Sequence, residues 1–195
     1  MSEKYAIVGL GNPGEKYRYT RHNLGFLVAE RLGEQLKWKF TNSSVTKAVA
    51  ARGEVGEKQV TLFLPLTFMN NSGTAVKQLV ESSALEYDRL LVVTDDFNLA
   101  FGQLRIRSGG SDGGHNGLES VIRLLGTDQF PRLRLGVGQP RHQQDVADYV
   151  LDEFSKAEKK GLSEFVQRSA DCCMLWLSEG IEQAMNQFNR RKDDE

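Results

Sequence analysis

Hydrophobic and polar positions alternate along this chain in two rhythms, and glycine-rich breaks mark where one gives way to the other. Tyr5-Ala-Ile-Val-Gly9 is a short apolar run closed by Gly11-Asn12-Pro13-Gly14, which predicts a buried strand ending in a tight turn. From Asn23 to Leu36 the apolar residues Leu24, Leu27, Val28 and Leu32 recur at helical spacing. Ala48–Val55 and Gln59–Leu64 read as two strands of a hairpin turning through Gly56-Glu57-Lys58. Phe68 to Gly73 is a polar break, with Asn71 or Ser72 placed to cap a helix toward Val80. Leu90–Thr94 is a wholly apolar strand that runs into Asp95-Asp96. Gly102–Arg107 alternates, with Leu104 and Ile106 on one face and Gln103, Arg105 and Arg107 on the other. A loop rich in glycine, Gly109–Gly117, then feeds a helix near Leu118–Leu125. Arg132–Val137 is a further strand, and Asp145–Phe154 and Lys156–Asn189 have the pattern of amphipathic helices.

Strands and helices interleave throughout, so the predicted class is α/β, a single domain over 1–195 built on a mixed β-sheet flanked by helices. The early hairpin argues against an all-parallel sheet. The wholly charged end from Arg190 to Glu195 is expected to fray.

Composition narrows the function classes. Net charge is −1, so any polyanion must be met by a local basic patch and not by the molecule as a whole. No apolar run approaches the ~18 residues of a membrane span, and Met1-Ser2-Glu3-Lys4-Tyr5 lacks the layout of a signal peptide. A cytoplasmic protein with no membrane partner is expected. Cys172 and Cys173 are adjacent in a helical stretch and point to different sides, which favours core packing for at least one of them. With only three scattered histidines beside them, they do not make a zinc site, and no metal or cofactor is expected.

Gly9-Leu10-Gly11-Asn12-Pro13-Gly14 fits the G-x-G-x-x-G dinucleotide fingerprint, but the fit is superficial. The third glycine of that motif lies inside a helix, whereas Pro13–Tyr17 reads as continued loop. The acidic residue that should end a second strand has only Glu30 and Glu34 as candidates, both within the first helical pattern.

Polar side chains concentrate beside loop glycines in three segments: Asn12 to Asn23, Phe68 to Gly73, and Asp95 with His115 and Asn116. Each lies where a strand gives way to a loop or helix, the edge at which α/β proteins place ligands. No serine or cysteine stands in a nucleophile elbow. A histidine with an aspartate and surrounding amides suits water activation: imidazole takes the proton, carboxylate fixes its tautomer, and amides hold substrate and oxyanion. Taken singly, a histidine beside a helix start ordinarily caps or packs, and a glycine-rich loop is ordinarily a tight turn.

Their joint order changes that balance. Gly9-Leu-Gly-Asn-Pro-Gly14, Thr20-Arg-His-Asn-x-Gly25, Pro65-x-Thr-Phe-Met-Asn-x-Ser-Gly73, Asp95-Asp96 and Gly114-His-Asn-Gly-Leu118 follow one another along nearly the whole chain. In this the sequence resembles the bacterial peptidyl-tRNA hydrolases. The resemblance implies a metal-free, monomeric esterase that cuts peptide from the terminal ribose of tRNA. It implies His22 as the base that activates water, Asp95 as its orienting carboxylate, and Asn12 and Asn70 as binders of the peptide end and reacting carbonyl. Asn116 matches an asparagine that helps hold substrate and water, and Tyr17, Phe68 and Met69 match positions that shape the cleft. Arg107 and Arg134 match basic positions that meet the tRNA acceptor arm.

The departures are Thr94, where many members carry histidine, and Asn98, where the family's segment has a later acid. Arg105 and Arg107 share one strand face and Arg132 and Arg134 another, so neighbouring strands would gather all four, with Lys16, Arg18 and Arg21 adding to the field. Arg190-Arg191-Lys192 read as a tail neutralised by the acids after it, His142 has no motif around it, and His115 reads as shaping its loop. Gly109–Gly117 and Gln139–Asp145 are candidate gates over the cleft by their glycine, proline and polar content. Two rivals differ in class. A non-catalytic RNA-binding relative predicts erosion of the His, Asp and Asn set, and a general esterase would not need the paired arginines.

Overall fold

A computed structural model describes residues 3–140 and 144–189. The strands β1 (Lys4–Gly9), β2 (Thr41–Asn42), β3 (Ala48–Val55), β4 (Lys58–Pro65), β5 (Leu90–Asp96), β6 (Leu104–Arg107) and β7 (Arg132–Gly136) form one sheet in the order β2-β3-β4-β1-β5-β7-β6. β4, β1, β5 and β7 run parallel through its centre, while β2, β3 and β6 are antiparallel additions at the two edges. The helices are α1 (Leu24–Leu36), α2 (Ser72–Ser83), α3 (Asn116–Leu125), α4 (Val146–Leu151), α5 (Lys156–Glu179) and α6 (Ile181–Phe188).

Strand alternation divides the core into two layers. Ile7, Leu62, Leu91, Val93, Leu133 and Leu135 face Leu24, Val28 and Leu32 of α1 and Phe165, Val166 and Trp176 of α5. Ala6, Val8, Phe63, Leu90 and Val92 face Val76 and Leu79 of α2 and Leu118 and Val121 of α3. Every residue of β5 is buried, as the centre of a sheet covered on both faces requires.

The elements form close to where the pattern predicts them, with particular exceptions. The hairpin turns on Gly56 and Glu57 alone, since Lys58 already pairs with Val55. Asn71 holds the N-cap position of α2 but makes no side-chain cap bond. The expected helix over Lys156–Asn189 is broken at Gly180, whose φ of +87° divides it into α5 and α6. β2 was not legible, because two exposed residues carry no period. Cys172 and Cys173 are both buried, and burial raises both thiols, Cys172 to about 12. No described helix is long and apolar enough to cross a membrane. Residues 190–195, and with them the expectation of a frayed tail, lie outside the described residues, as does His142.

Arg132 departs most from its predicted place. It pairs across the strands with Arg107 as the alternation suggests, yet it is 1% exposed. Its guanidinium donates to the carbonyls of Gly110, Ser111, Asp128 and Phe130, tying two loops to β7. Arg132 is therefore a framework residue and not part of a basic surface. Arg132→Ala is expected to lower stability by about 3 kcal/mol, since several buried carbonyls lose charged donors together. Denaturant unfolding, with the slope unchanged, measures it.

Candidate functional site

β1 leads into α1 on one face of the sheet, and its neighbour β4 leads into α2 on the other. Parallel strands whose connections leave to opposite faces open a crevice at their carboxyl ends. The loops after β1, β4 and β5 and the start of α3 meet there. A side chain at two glycines would block this meeting: a Cβ on Gly9 would strike the carbonyl of Gly25, and one on Gly25 the carbonyl of Val93. The glycines let the start of α1 settle directly on β1 and β5.

That contact delivers His22. It lies in the single turn Arg21–Asn23 just before α1 and is 7% exposed. Its Nδ1 donates to the Asp95 carboxylate, at 3.0 Å from Oδ1 and 3.1 Å from Oδ2. Asp95, at the buried end of β5, also accepts from His115 Nε2 at 2.9 Å. His115 Nδ1 accepts the N–H of Leu118 at 3.1 Å, which fixes its own proton on Nε2 and caps α3. His115 caps the helix that follows its loop, and it also shares Asp95 Oδ1 with His22; the two rings stand 4.7 Å apart. Both nitrogens of His115 are thus engaged. His22 Nε2 has no partner among the described residues, which leaves its lone pair available.

Electrostatics follow from this shared carboxylate. Burial acts to lower the His22 pKa, but the charge and hydrogen bond of Asp95 outweigh it and hold His22 above its ordinary 6.5. Burial acts to raise the Asp95 carboxyl, and His22 and His115 together hold it far below the usual carboxylate range. Asp95 is therefore ionised whenever His22 is neutral. His22, Asp95 and His115 are also the one described group with ligand atoms close enough for a metal ion, within 4.8 Å of one another. The same atoms serve the hydrogen bonds, and a cation would have to drive the His115 proton onto Nδ1, against the Leu118 N–H.

The asparagines divide by role. Asn12 is buried, its Oδ1 accepting the Met69 N–H at 2.8 Å, which leaves Nδ2 as the end free to donate. Asn23, to which sequence pattern alone assigns no role, clamps the backbone of Asn12 through both its N–H and its carbonyl, at 2.9 Å each. It sits at the N-cap of α1 without capping it, because its amide is spent on Asn12. Buried Met69 lies against Gly117, as does the ring of His115. Asn70 and Asn116, the residues that follow Met69 and His115, therefore share one rim; both are exposed with no described hydrogen bond. Phe68 is 57% exposed beside them. Tyr17 is half-buried in the turn Glu15–Tyr17, with no described link to His22 or Asp95.

The basic residues separate as well. β6 and β7 are neighbours, with Arg105 opposite Arg134 and Arg107 opposite Arg132. Arg107 is exposed, whereas Arg134 is partly buried with Nε 2.8 Å from Asp96 Oδ2. Arg21 does not add to a surface field: it is buried over Tyr149, paired with Glu158 at 2.8 Å and donating to the carbonyls of Tyr149, Asp152 and Glu153. The Gly109–Gly117 loop is anchored by Arg132 and by the Asn98 amide, which donates to Gly113 O at 3.1 Å, a bond that a carboxylate at this position could not make. The Gln139–Asp145 segment lies partly outside the described residues. Gly14 has a φ of +110° and precedes α1 by a further loop, so the G-x-G-x-x-G run does not open a helix.

A family model described as peptidyl-tRNA hydrolase matches residues 6–195. The chain is 46% identical over 186 residues to the peptidyl-tRNA hydrolase of Chloroflexus aggregans, covering 95% of this chain and 98% of that protein. It is 43% identical over 185 residues to that of Aquifex aeolicus, covering 95% and 96%. Among solved structures, the peptidyl-tRNA hydrolase from Acinetobacter baumannii superposes with a TM-score of 0.91 at 33% identity, over 98% of this chain and 97% of that one. The fold itself reaches further, to an Arabidopsis thaliana 5′-methylthioadenosine nucleosidase at a TM-score of 0.53 and 9% identity.

Proposed function

Because this chain belongs to the peptidyl-tRNA hydrolase family, we infer that it is an enzyme that hydrolyses peptidyl-tRNA, and we propose that His22 is its general base. The observation that carries the second step is the pairing of His22 Nδ1 with the Asp95 carboxylate, which leaves Nε2 as the available base. Water bound at Nε2 gives up a proton as its oxygen attacks the ester carbonyl carbon. Asp95 keeps the imidazole in the required tautomer and stabilises the imidazolium that forms. Collapse of the tetrahedral intermediate breaks the bond to the ribose oxygen, and the imidazolium returns the proton to that oxygen. An alkoxide leaves more readily than an amine, so one histidine suffices for both transfers.

The amide Nδ2 of Asn12 is the donor best supported for the peptide end or the oxyanion, since Met69 holds its other end fixed. Asn70 and Asn116 offer further donors at the rim, Phe68 an apolar wall, and Met69 the packing that joins the two sides. Tyr17 bounds the cleft on the side of the first loop. Arg107 and Arg134, with Arg105, form the surface proposed for the acceptor arm. A monomer acting in the cytoplasm suits this role in translation.

Asn70→Ala is expected to lower kcat by about 10²–10³-fold if its amide donates to the oxyanion. Asn12→Asp separates the two ends of that residue: the Met69 contact keeps its acceptor while the donor is lost, so kcat falls with little change in stability. Steady-state kinetics beside thermal unfolding decides both. The substrate assignment is tested by comparing N-acetyl-aminoacyl-tRNA, free aminoacyl-tRNA and simple N-acetyl-amino acid esters. Selective cleavage of the first supports the proposal; equal cleavage of simple esters makes the protein a general esterase, and tRNA binding without cleavage makes it an RNA-binding relative.

A further inference from the structure

β6 closes the sheet at one end and pairs on one side only, with β7. Leu104 and Ile106 are buried, and Arg105 and Arg107 alternate with them on the opposite face. Across the ladder they meet Arg134 and Arg132. Like charges directly opposite weaken a strand pair, and a strand of four residues has few bonds to resist that. Of the four guanidinium groups, Arg132 is committed to loop carbonyls and Arg134 to Asp96. The guanidinium groups of Arg105 and Arg107 make no hydrogen bond or ion pair among the described residues and are available for an anion.

Among the described residues, side-chain hydrogen bonds hold the open side of this strand at one point, midway between those two arginines. Asn189, just after α6, accepts the Ile106 N–H on Oδ1 at 2.9 Å and donates from Nδ2 to the Ile106 carbonyl at 3.0 Å. A side-chain amide in this register does what one residue of a neighbouring strand would do, and it blocks further pairing there. The contact spans 83 positions of sequence, so it depends on the packing of α6, whose Ala184 and Phe188 are buried with Ile106 in one core layer. None of the described hydrogen bonds of Asn189 reaches His22, Asp95 or the asparagine rim.

We propose that Asn189 is a positioning residue for the tRNA substrate: by closing the sheet edge at Ile106 it holds Arg105 and Arg107 ready for the phosphates of the acceptor arm. The proposal rests on the reading of β6 and β7 as the RNA-facing surface. An edge strand left free to move would have to be ordered on binding, which weakens association without touching the chemistry at the ester.

The test compares wild type, Asn189→Ala and the double variant Arg105→Ala/Arg107→Ala on two substrates. One is N-acetyl-aminoacyl-tRNA; the other is an N-acetyl-aminoacyl CCA trinucleotide, which lacks the acceptor stem. The double variant is expected to raise KM for the tRNA on the order of 10-fold, and to flatten its logarithmic salt dependence by about two. Asn189→Ala is expected to raise the same KM by about 3-fold or more, with kcat and trinucleotide cleavage unchanged, and to speed exchange of the Ile106 amide proton. Faster Ile106 exchange with an unchanged KM for tRNA overturns the proposal while leaving the RNA-facing surface intact. Equal losses on both substrates also overturn it, by reducing Asn189 to a general stabiliser. A double variant with unchanged KM and salt dependence removes the RNA-facing surface itself, and the role of Asn189 with it. Asn189→Ser, which keeps a small hydrogen-bonding group, is measured with the same readouts if the alanine variant does not fold.

Discussion

Replacing His22 by alanine is expected to lower kcat for N-acetyl-aminoacyl-tRNA by about 10²–10⁴-fold or more, while KM stays within about 2-fold. Among the described residues, the imidazole is the one group in the crevice with an unengaged basic nitrogen and a carboxylate fixing its other end. Its loss removes proton transfer from the transition state and leaves the surfaces that bind peptide and tRNA in place. The change also leaves Asp95 with His115 as its remaining partner, so the buried carboxylate is still hydrogen-bonded. A stability loss smaller than the activity loss is therefore expected, and thermal unfolding checks it. Activity within 10-fold of wild type would transfer the role of base to another group.

Asp95→Asn is expected to be as damaging for a different reason, with kcat falling by about 10³–10⁴-fold. The amide is nearly isosteric, but it can present N–H to one of two imidazoles that now offer their own N–H groups to it. His115 is locked by Leu118 with its proton on Nε2, so His22 is the ring that must change tautomer or lose its bond. Either outcome spoils Nε2 as the base. The pH dependence carries a second sign. Asp95 is what holds the His22 pKa up against burial. Without it burial dominates, and the acid limb of residual activity moves to lower pH. A variant that keeps the wild-type acid limb would contradict the assignment of that limb to His22.

The central strands are legible as short apolar runs bounded by turn or polar residues, as in Tyr5–Gly9 and Leu90–Thr94, and the first helix by the helical spacing of Leu24, Val28 and Leu32. The residues His22, Asp95, Asn12, Asn70 and Asn116 were legible as a set through their motifs, and the fold brings His22 to Asp95 and Asn12 to Met69. Local pattern could not reveal bonds that span the chain. Asn23 looks like a helix cap and instead clamps Asn12, and Asn189 looks like the end of a helix and instead pairs with a strand. His115 lies in a quoted motif, but its second bond, to Asp95, depends on how α3 docks on β5. Arg132 and Arg21 show the reverse failure. A charge count treats every arginine alike, whereas folding buries these two among backbone carbonyls and leaves Arg107 in solvent.

The most direct test of the catalytic role assigned to His22 is single-turnover cleavage of N-acetyl-aminoacyl-tRNA from about pH 5 to 9, in EDTA, alongside NMR titration of the His22 ring. The predicted result, read as kcat/KM at subsaturating concentrations, is a rate that rises with pH and levels off above a single pKa, higher than 6.5 and equal to that of His22 in the free enzyme. A rate that climbs in proportion to hydroxide across the whole range, or one abolished by EDTA, would contradict it.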